Sequence, residues 1–528
     1  MDRKWWTLIA VSFGVFMLLL DITVVNVALP DIQRSLHSSF SDLQWVVDAY
    51  SLTLAAFLLT SGSLADLFGR RLIFAAGLVI FTCSSALCGL STSPAMLNLA
   101  RAVQGIGGAM MFATSLALIA AAFHGRDRGT AFGVFGAVNG AAVAVGPVLG
   151  GVITSGIGWE WIFFVNVPIG VAAVFVTLTK VVESRDPQAR GVDWAGLVTF
   201  SGGLFLLVYA LVQGNQKGWG STEIVAMLAG AAVLLVLFLI VELAQRRPML
   251  DLSLFRRPAF TGANMVAFCL AGSYFAMFLY LTLYIQDVLH FSPLQAGLRF
   301  LPITLLSFAV APVAGRLSVR MPVRLLLGSG MLLCGASLLM MTALTSTSDW
   351  TFLVVPFVLG GAGIGLVNPP LASTAIGVVP HERSGMASGI NATFRQVGIA
   401  TGIAGLGAIF QHQIASATTT ALRHSSTSGS GGAVREVLAA GHGKLGQVLS
   451  SGSIGGLQHS IAATARTTLA HAYHVGFVEA FTTIAAVAAG IALIGSLAGF
   501  GLVRSRDFVT SYEATQAPEG EPVMTAAG

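Results

Sequence analysis

The chain has 528 residues, of which 55% are hydrophobic and only 10% are charged. Soluble globular proteins carry about a quarter charged residues, so this composition excludes that class and indicates an integral membrane protein. The net charge of +5 does not indicate a nucleic-acid partner, because the basic residues lie in short clusters between apolar runs.

Fourteen apolar runs are long enough to be membrane helices, since a helix needs about 20 residues to cross the hydrocarbon core. Their predicted limits are 6–29, 44–64, 72–91, 95–121, 130–154, 161–180, 194–213, 222–244, 260–284, 296–315, 323–345, 350–371, 386–410 and 473–503. An even number of spans places both termini on one side, and a cytoplasmic amino terminus puts most of the 28 Lys and Arg residues in cytoplasmic segments. The abundance of Ala, Gly and Arg favours a bacterial source, so we predict a bacterial inner-membrane protein with both termini in the cytoplasm.

An internal repeat divides the spans into two sets. The segment GSLADLFGRR (62–71) closes the second span, and GRLSVRMPVR (315–324) closes the tenth, with Gly, Leu and the last Arg in register. Repeated six-span halves are typical of transporters. We predict an all-α membrane fold with an N-terminal six-helix half, an inserted two-helix pair, a C-terminal six-helix half and a disordered cytoplasmic tail, at 1–190, 191–250, 251–503 and 504–528.

The segment 412–472 is too long for an ordinary connection and is rich in Ser, Thr, Gly, Ala and His. We predict an external loop, in which 461–469 could form a short helix. Two interpretations stay open for this loop: a solvated connection, or a lid or partner surface.

Asp21 is a lone carboxylate inside the first apolar run. A charged side chain at the bilayer centre costs about 2.5–3.5 kcal/mol on insertion scales, so such a residue is a functional candidate. Asp21 lies nine residues before Pro30 at the predicted outer end of span 1, and Arg101 lies six residues into span 4 from the same surface. At 1.5 Å per residue their depths are about 13 and 9 Å, so the two side chains can pair.

Asp48 and Glu479 are predicted to lie about 8 Å below the same surface, on the second and last spans. A carboxylate gains or loses a proton when its burial or a neighbouring cation changes, so an acid beside a movable base suits proton coupling. We therefore predict a proton-coupling network of Asp21, Arg101, Asp48 and Glu479. The alternatives are a purely structural Asp21–Arg101 pair, and a headgroup-level position for the other two acids.

Several motifs occur in the order typical of one transporter family. They are LDITVVNVALP (20–30), QWVVDAY (44–50), GSLADLFGRR (62–71), LNLARAVQGIGG (97–108), GAAVAVGPVLGG (140–151) and WIFFVNVP (161–168). With these motifs the chain resembles the fourteen-span drug:proton antiporter family of the major facilitator superfamily. The resemblance excludes the tail and much of 412–472. Two departures stand out: Glu160 replaces a frequent basic residue, and Val319 replaces the acid of the second repeat.

The resemblance implies roles for two segments. In the first, Gly62, Asp66, Gly69, Arg70 and Arg71 form a gating loop, in which Asp66 could face the amino end of span 13 near Arg383; the alternative is that the arginines only orient the span. In the second, Gly146, Pro147, Gly150 and Gly151 form the antiporter motif, although close helix packing alone explains the glycines.

Span 9 carries an aromatic stripe that could line a substrate path. The predicted substrate-binding residues are Tyr274, Met277, Phe278 and Tyr284, together with Asn391 on span 13, where Arg395 follows one turn later and lines the cavity or holds the inner gate. Aromatic and Met surfaces bind varied apolar ligands and cations. The alternative for the stripe is packing or lipid contact.

We predict a proton-coupled multidrug efflux antiporter that exports amphipathic or cationic small molecules by alternating access. Its partners are these substrates, protons and the lipid bilayer; we expect a monomer that is not an enzyme and uses no cofactor or metal, since Gly360–Gly365 has no βαβ context and Lys444 opens no phosphate loop. A dedicated exporter of an endogenous metabolite, antibiotic or lipid is one alternative. A non-transporting membrane sensor or scaffold is the other.

Overall fold

The structure is a computed structural model and describes residues 2–123, 125–185, 191–245, 248–379, 384–425, 432, 434, 462–504 and 507. This part of the chain is built from helices and their connections. The N-terminal helices are α1 (Arg3–Leu36), α2 (Phe40–Phe68), α3 (Arg70–Gly89), α4 (Pro94–Ala122), α5 (Gly125–Gly156), α6 (Trp161–Phe164) and α7 (Asn166–Lys180). The short α6 and α7 together form the sixth predicted span.

Two helices follow at the place of the predicted inserted pair, and the C-terminal helices come after them. They are α8 (Trp194–Lys217), α9 (Thr222–Ala244), α10 (Pro258–Leu270), α11 (Ala276–Leu283), α12 (Pro293–Arg299), α13 (Leu301–Arg320), α14 (Val323–Met341), α15 (Val354–Gly377), α16 (Ser384–Ser425) and α17 (Ala463–Leu502). Two π-helical turns, Ala271–Phe275 and Tyr284–Val288, extend α10 and α11 into one long span.

Thirteen helical segments of the described residues are long and apolar enough to cross a membrane, by length and composition. Helix α5 adds a shorter apolar stretch, Val145–Gly156, within its 32 residues. The chain is therefore a multi-pass membrane protein with an all-helical architecture, as predicted. The count of fourteen spans stays a prediction.

The largest differences from the predicted helix limits are in α1, α16 and α17. Helix α1 continues through Pro30 to Leu36 and ends at His37, whose left-handed backbone closes the last turn. A proline removes one hydrogen bond, and a membrane helix continues past it when its other backbone bonds are kept. Helices α16 and α17 extend into both ends of the predicted loop 412–472, whose middle lies outside the described residues. The tail 504–528 is described only at Arg504 and Asp507.

Glycines bring α2, α3 and α4 close together. A β-carbon built at Gly105 would lie 2.4 Å from the carbonyl oxygen of Tyr50 on α2, and one at Gly107 would lie 2.8 Å from the carbonyl oxygen of Gly77 on α3. Small residues permit such backbone contacts in membrane bundles. The polar side chains of α4 are thereby held against α1 and α2.

Hydrogen bonds join the two halves at the predicted outer end. Gln286 Nε2 donates to the carbonyl of Val27 (2.7 Å), and Gln44 Nε2 donates to the carbonyl of Ile403 (3.1 Å). Backbones also meet there, since a β-carbon at Gly297 on α12 would lie 2.3 Å from the carbonyl oxygen of Pro147 on α5. The structure therefore shows a conformation that is closed at this end.

The inserted pair lies beside the seam between the halves. On α8, Gln213 Nε2 donates to Ser41 Oγ of α2 (3.2 Å), and Asn215 Nδ2 donates to the carbonyl of Ala408 on α16 (2.5 Å). Phe205 of α8 also packs against Trp45 of α2 at 6.0 Å between ring centroids. Helix α8 thus contacts both halves at once.

Substituting Gly297 should open this end of the bundle. We expect Gly297→Ala to favour the outward-open conformation, because its added methyl group collides with the backbone of Pro147. The measurement is the distance between spin labels at positions 157 and 347, in a variant whose four cysteines are replaced. Gly405→Ala is the control, since no heavy atom lies within 4 Å of its β-carbon position. An unchanged distance distribution for Gly297→Ala contradicts the prediction.

Candidate functional site

A buried ion pair between α1 and α4 forms the centre of the candidate site. Arg101 NH1 lies 2.5 Å from Asp21 Oδ2, and the two residues are 1% and 2% exposed. A buried charge pair is strongly destabilised when one partner is removed, because the other charge stays in a medium of low dielectric constant. The pairing predicted from depth is therefore confirmed, and a role in proton coupling stays a prediction.

The second carboxylate oxygen of Asp21 accepts hydrogen bonds from two amides. Gln104 Nε2 lies 3.0 Å from Asp21 Oδ1, and Asn166 Nδ2 of α7 lies 3.4 Å from the same oxygen. Asn166 also donates to Ser85 Oγ of α3 (3.1 Å). The Asp21 carboxylate on α1 thus binds side chains of α4 and α7, and Asn166 links it to Ser85 on α3.

Arg101 is held in place from several sides. Its Nε donates to the carbonyl of Val46 on α2 (3.0 Å), and its NH1 also reaches Gln104 Oε1 (2.7 Å). The guanidinium carbon lies 4.2 Å from the centre of the Tyr50 ring, a cation–π distance. Displacement of α2 relative to α4 would therefore disturb the cation that faces Asp21.

Asp48 lies in a separate buried environment on α2. The residue is fully buried, and neither carboxylate oxygen has a hydrogen-bond partner among the described residues. One turn earlier, Gln44 accepts from Gln411 Nε2 of α16 (2.9 Å). An ionised carboxylate without partners is costly when buried, so this environment suits a group that binds a proton.

Glu479 differs from the other predicted acids in its exposure. It lies on the exposed surface of α17 and accepts a hydrogen bond from Gln413 Nε2 (3.3 Å). It shares no hydrogen-bond partner with Asp21 or Asp48 in the described part of the chain. Its membership of the network stays a prediction without a described contact.

The predicted gating loop is fixed within its own half. Asp66 Oδ1 accepts from Arg70 Nε and NH2 (3.1 and 2.9 Å), and Gly69 turns the chain with a positive φ of 115°. The Glu183 carboxylate, beyond α7, accepts from the backbone N–H groups of Arg71 and Leu72 at the start of α3. Gly62 lies in open space. Arg383, the expected marker of a partner helix for Asp66, is outside the described residues.

The predicted antiporter motif on α5 contacts both halves. β-Carbons at Gly146 and Gly150 would lie 1.8 Å from Thr23 Oγ1 and 3.0 Å from the Val24 carbonyl oxygen, both on α1. One at Gly151 would lie 2.6 Å from the carbonyl oxygen of Pro293 on α12, beside the Pro147–Gly297 contact. The glycines therefore permit close packing, as the simpler interpretation predicted, and α5 connects the helix of Asp21 to the opposite half.

A cavity lies between the halves near this contact. Its lining combines aromatic and aliphatic side chains with hydroxyl and amide groups: Ile22, Thr23, Asn26, Val27, Pro147, Phe275, Phe278, Thr282, Phe300, Ile303, Thr304, Ser307 and Ile364. Such a mixed, mostly apolar surface is typical of a small-molecule site.

Of the predicted substrate residues, Phe278 lines this cavity. Tyr274 is fully buried and bonds Ser337 (3.2 Å), Met277 is fully buried, and the ring of Tyr284 stacks on Phe481 of α17 at 5.4 Å between centroids. The π-helical turns shift the helical phase, so the stripe does not point in one direction. Asn391 donates to Asn264 Oδ1 (3.3 Å). Substrate contact by these four residues stays a prediction.

Sequence reasoning did not assign Gln104, Asn166 and Tyr50 to the site, although each lies inside a motif that it used. The available signal was a polar side chain within an apolar helix, which usually faces the bundle interior. Among the described residues, no group of three His, Cys, Asp or Glu side chains could hold a metal ion.

Comparison with known proteins gives consistent matches. The family described as the Major Facilitator Superfamily matches residues 11–403. The chain is 39% identical over 408 residues to the multidrug resistance protein Stp of Mycobacterium tuberculosis, covering 76% of this chain and 75% of that protein. It is 35% identical over 413 residues to the tetracenomycin C resistance and export protein of Streptomyces glaucescens, covering 78% and 77%.

Solved structures agree on the fold. A bacterial homologue of the human lysosomal transporter Spinster, in an inward-facing and unoccupied conformation, superposes with a TM-score of 0.59. The match covers 96% of this chain and 99% of that one at 17% identity.

Removing either member of the buried ion pair should destabilise the protein. We expect Asp21→Asn and Arg101→Gln each to lower stability by about 3–5 kcal/mol, because each leaves one buried charge unpaired. The Asp21→Asn/Arg101→Gln double variant should lose much less than the sum. The measurement is the thermal inactivation rate of purified protein in detergent. Additive losses contradict a direct interaction between the two side chains.

Proposed function

We propose that this chain, which belongs to the Major Facilitator Superfamily, exports amphipathic or cationic small molecules in exchange for protons by alternating access. The observation that carries the proposal is the buried Asp21–Arg101 pair. Helix α1, which carries Asp21, also lines the cavity between the halves. It places a group that can bind a proton and a space that can bind a substrate on the same mobile element.

The names of the relatives support export of drugs. One is a multidrug resistance protein, and another is a tetracenomycin C resistance and export protein. The second name also fits the alternative of a dedicated exporter for one metabolite or antibiotic. The range of compounds that the purified protein exports distinguishes a broad from a dedicated pump.

The contacts of Asp21 support proton coupling. With Arg101, Gln104 and Asn166 as donors, the carboxylate is stabilised in its ionised form. When α4 shifts relative to α1 within this half and Arg101 moves away, the same buried carboxylate is stabilised by taking up a proton. Asp48, buried without partners, is the second acid in this scheme. Glu479 could add a third acid only after α17 moves.

Helix α5 transmits the opening of the halves to α1. Its glycines touch α1 within three residues of Asp21, and its outer part touches α12 of the other half. Opening the α5–α12 contact therefore pulls on the helix that carries the acid. At the predicted cytoplasmic face, the Asp66–Arg70 bonds of the Gly62–Arg71 loop join the end of α2 to the start of α3. This loop acts as the inner gate.

The proposed orientation has both termini in the cytoplasm of a bacterial cell, and the proposed active unit is a monomer. With this orientation, the closed outer end of the structure corresponds to a state that receives substrate from inside. Protons then enter from the outer side after the halves exchange positions.

Asp21→Asn should abolish gradient-driven export. We expect the parent protein, in proteoliposomes with an imposed pH gradient, to export aromatic dyes faster than without the gradient. Asp21→Asn should remove this acceleration because its amide does not titrate, and Asp48→Asn should weaken it. Glu223→Gln, which changes an exposed acid of the inserted pair, is the control. Export by the parent that ignores the gradient, or a full response in Asp21→Asn, contradicts the coupling role.

Two aromatic residues of span 9 should differ in their effect on transport. Phe278→Ala should raise KM about two- to tenfold, because one ring contact in the cavity is worth about 0.5–1.5 kcal/mol. Tyr284→Ala should leave KM unchanged and lower thermal stability, since its ring packs on α17. A KM increase for Tyr284→Ala alone would show that the cavity forms elsewhere.

A further inference from the structure

Arg395 on α16 has no ion-pair partner among the residues that the structure describes. In the described part of the chain it makes no ion pair or hydrogen bond, and its one described partner is the ring of Phe275, 4.8 Å from the guanidinium carbon to the ring centre. Arg101 is the contrasting case, since its guanidinium donates to Asp21, Gln104 and the Val46 carbonyl. Arg395 is only partly buried.

Arg395 lies on the face of α16 that packs against the ninth span, and that span lines the cavity between the halves. Asn391, Arg395, Gly398 and Gly402 recur at helical spacing on one face. That face packs on the ninth span: β-carbons at Gly398 and Gly402 would lie 2.5 Å from the carbonyl oxygens of Phe268 and Gly272. The same span carries Phe275, whose ring lines the cavity. The guanidinium therefore lies one aromatic ring from the cavity.

The cavity lining itself carries no charged side chain among the described residues. The nearby acid of α1, Asp21, is paired with Arg101 and fully buried. A cationic ligand would thus find aromatic faces but no free carboxylate in the lining, whereas an anionic ligand would find an unpaired guanidinium. Arginine binds carboxylate and similar planar anions through two parallel hydrogen bonds, and such charged bonds are stronger than neutral ones.

We propose that Arg395 binds the acidic group of amphipathic aromatic substrates, a carboxylate, a sulfonate or an ionised phenol. The rings of Phe275, Phe278 and Phe300 contact the aromatic body of the ligand, and Thr282, Thr304 and Ser307 accept or donate hydrogen bonds to its polar substituents. This inference rests on the proposed transport function and extends its substrate class from neutral and cationic compounds to aromatic acids.

A pair of ligands that differ only in charge tests the proposal. Anthraquinone carboxylate and the corresponding carboxamide have the same ring system and nearly the same size. Binding to the purified full-length protein in detergent is measured by calorimetry for the parent, Arg395→Gln and Arg395→Lys. The parent should bind the carboxylate more tightly, and Arg395→Gln should weaken carboxylate binding about tenfold or more while carboxamide binding changes less than about twofold. Arg395→Lys, which keeps the charge, should recover part of the loss.

Arg299→Gln is the matched control. Arg299 also lies over aromatic rings, Phe291 and Trp350, but neither of these rings lines the cavity, whereas Phe275 beside Arg395 does. It should leave both affinities unchanged. Equal affinity of the parent for the two ligands, or an equal loss of both in Arg395→Gln, overturns the proposal and assigns Arg395 a packing role.

The experiments distinguish a failure of the anion site from a failure of the proposed transport function. If the parent shows the predicted charge preference in binding but exports no dye in proteoliposomes, the transport function is wrong and the anion site stands. If it exports neutral and cationic dyes but shows no charge preference in binding, the anion site is wrong and the transport function stands.

Discussion

The ion pair between Asp21 and Arg101 constrains the packing of the whole N-terminal half. Both side chains are buried, so separating them leaves an uncompensated charge inside the bundle. The partners of the pair lie on α1, α2, α4 and α7. Glycines on α3 and α4 let these helices approach closely enough for the Arg101 guanidinium to donate to Asp21, Gln104 and the Val46 carbonyl. The contact that stabilises this half therefore includes the carboxylate that we propose to gain and lose a proton.

Helix α5 links that pair to the rest of the molecule. It packs on α1 through Gly146 and Gly150, and on α12 through Pro147 and Gly151. At the same end, Gln44 and Gln286 bond across the seam to α16 and α1. Because packed backbones do not deform continuously, a movement of one half relative to the other displaces α1 as a unit. This supplies a physical route between access to the cavity and the environment of Asp21. Helix α8 lies beside the seam and contacts both halves.

The sequence was sufficient to predict the helices and the central pair, because long apolar runs and single buried charges are strong signals. Asp21 and Arg101 were matched by depth even though α1 passes Pro30, since both lie well inside their helices. The placement of span 9 was not predictable. Its two π-helical turns change the side-chain phase without any signature in residue type, which moved Tyr274 and Tyr284 into packing and left Phe278 in the cavity. The roles of Gln104 and Asn166 could not be predicted from the sequence, because an amide side chain in a helix can also form a hydrogen bond with its own backbone.

The distribution of charge separates two tasks. The Asp21 carboxylate, which we propose as the proton acceptor, is enclosed by its own half. Arg395, which makes no ion pair among the described residues, lies on the other half against the ring of Phe275. The central claim is that Asp21 changes its protonation during the cycle. Its most direct test is the proton released when an exported substrate is added to purified protein in weakly buffered detergent. The parent should release protons on binding and Asp21→Asn should release fewer; equal release by both proteins would contradict the claim.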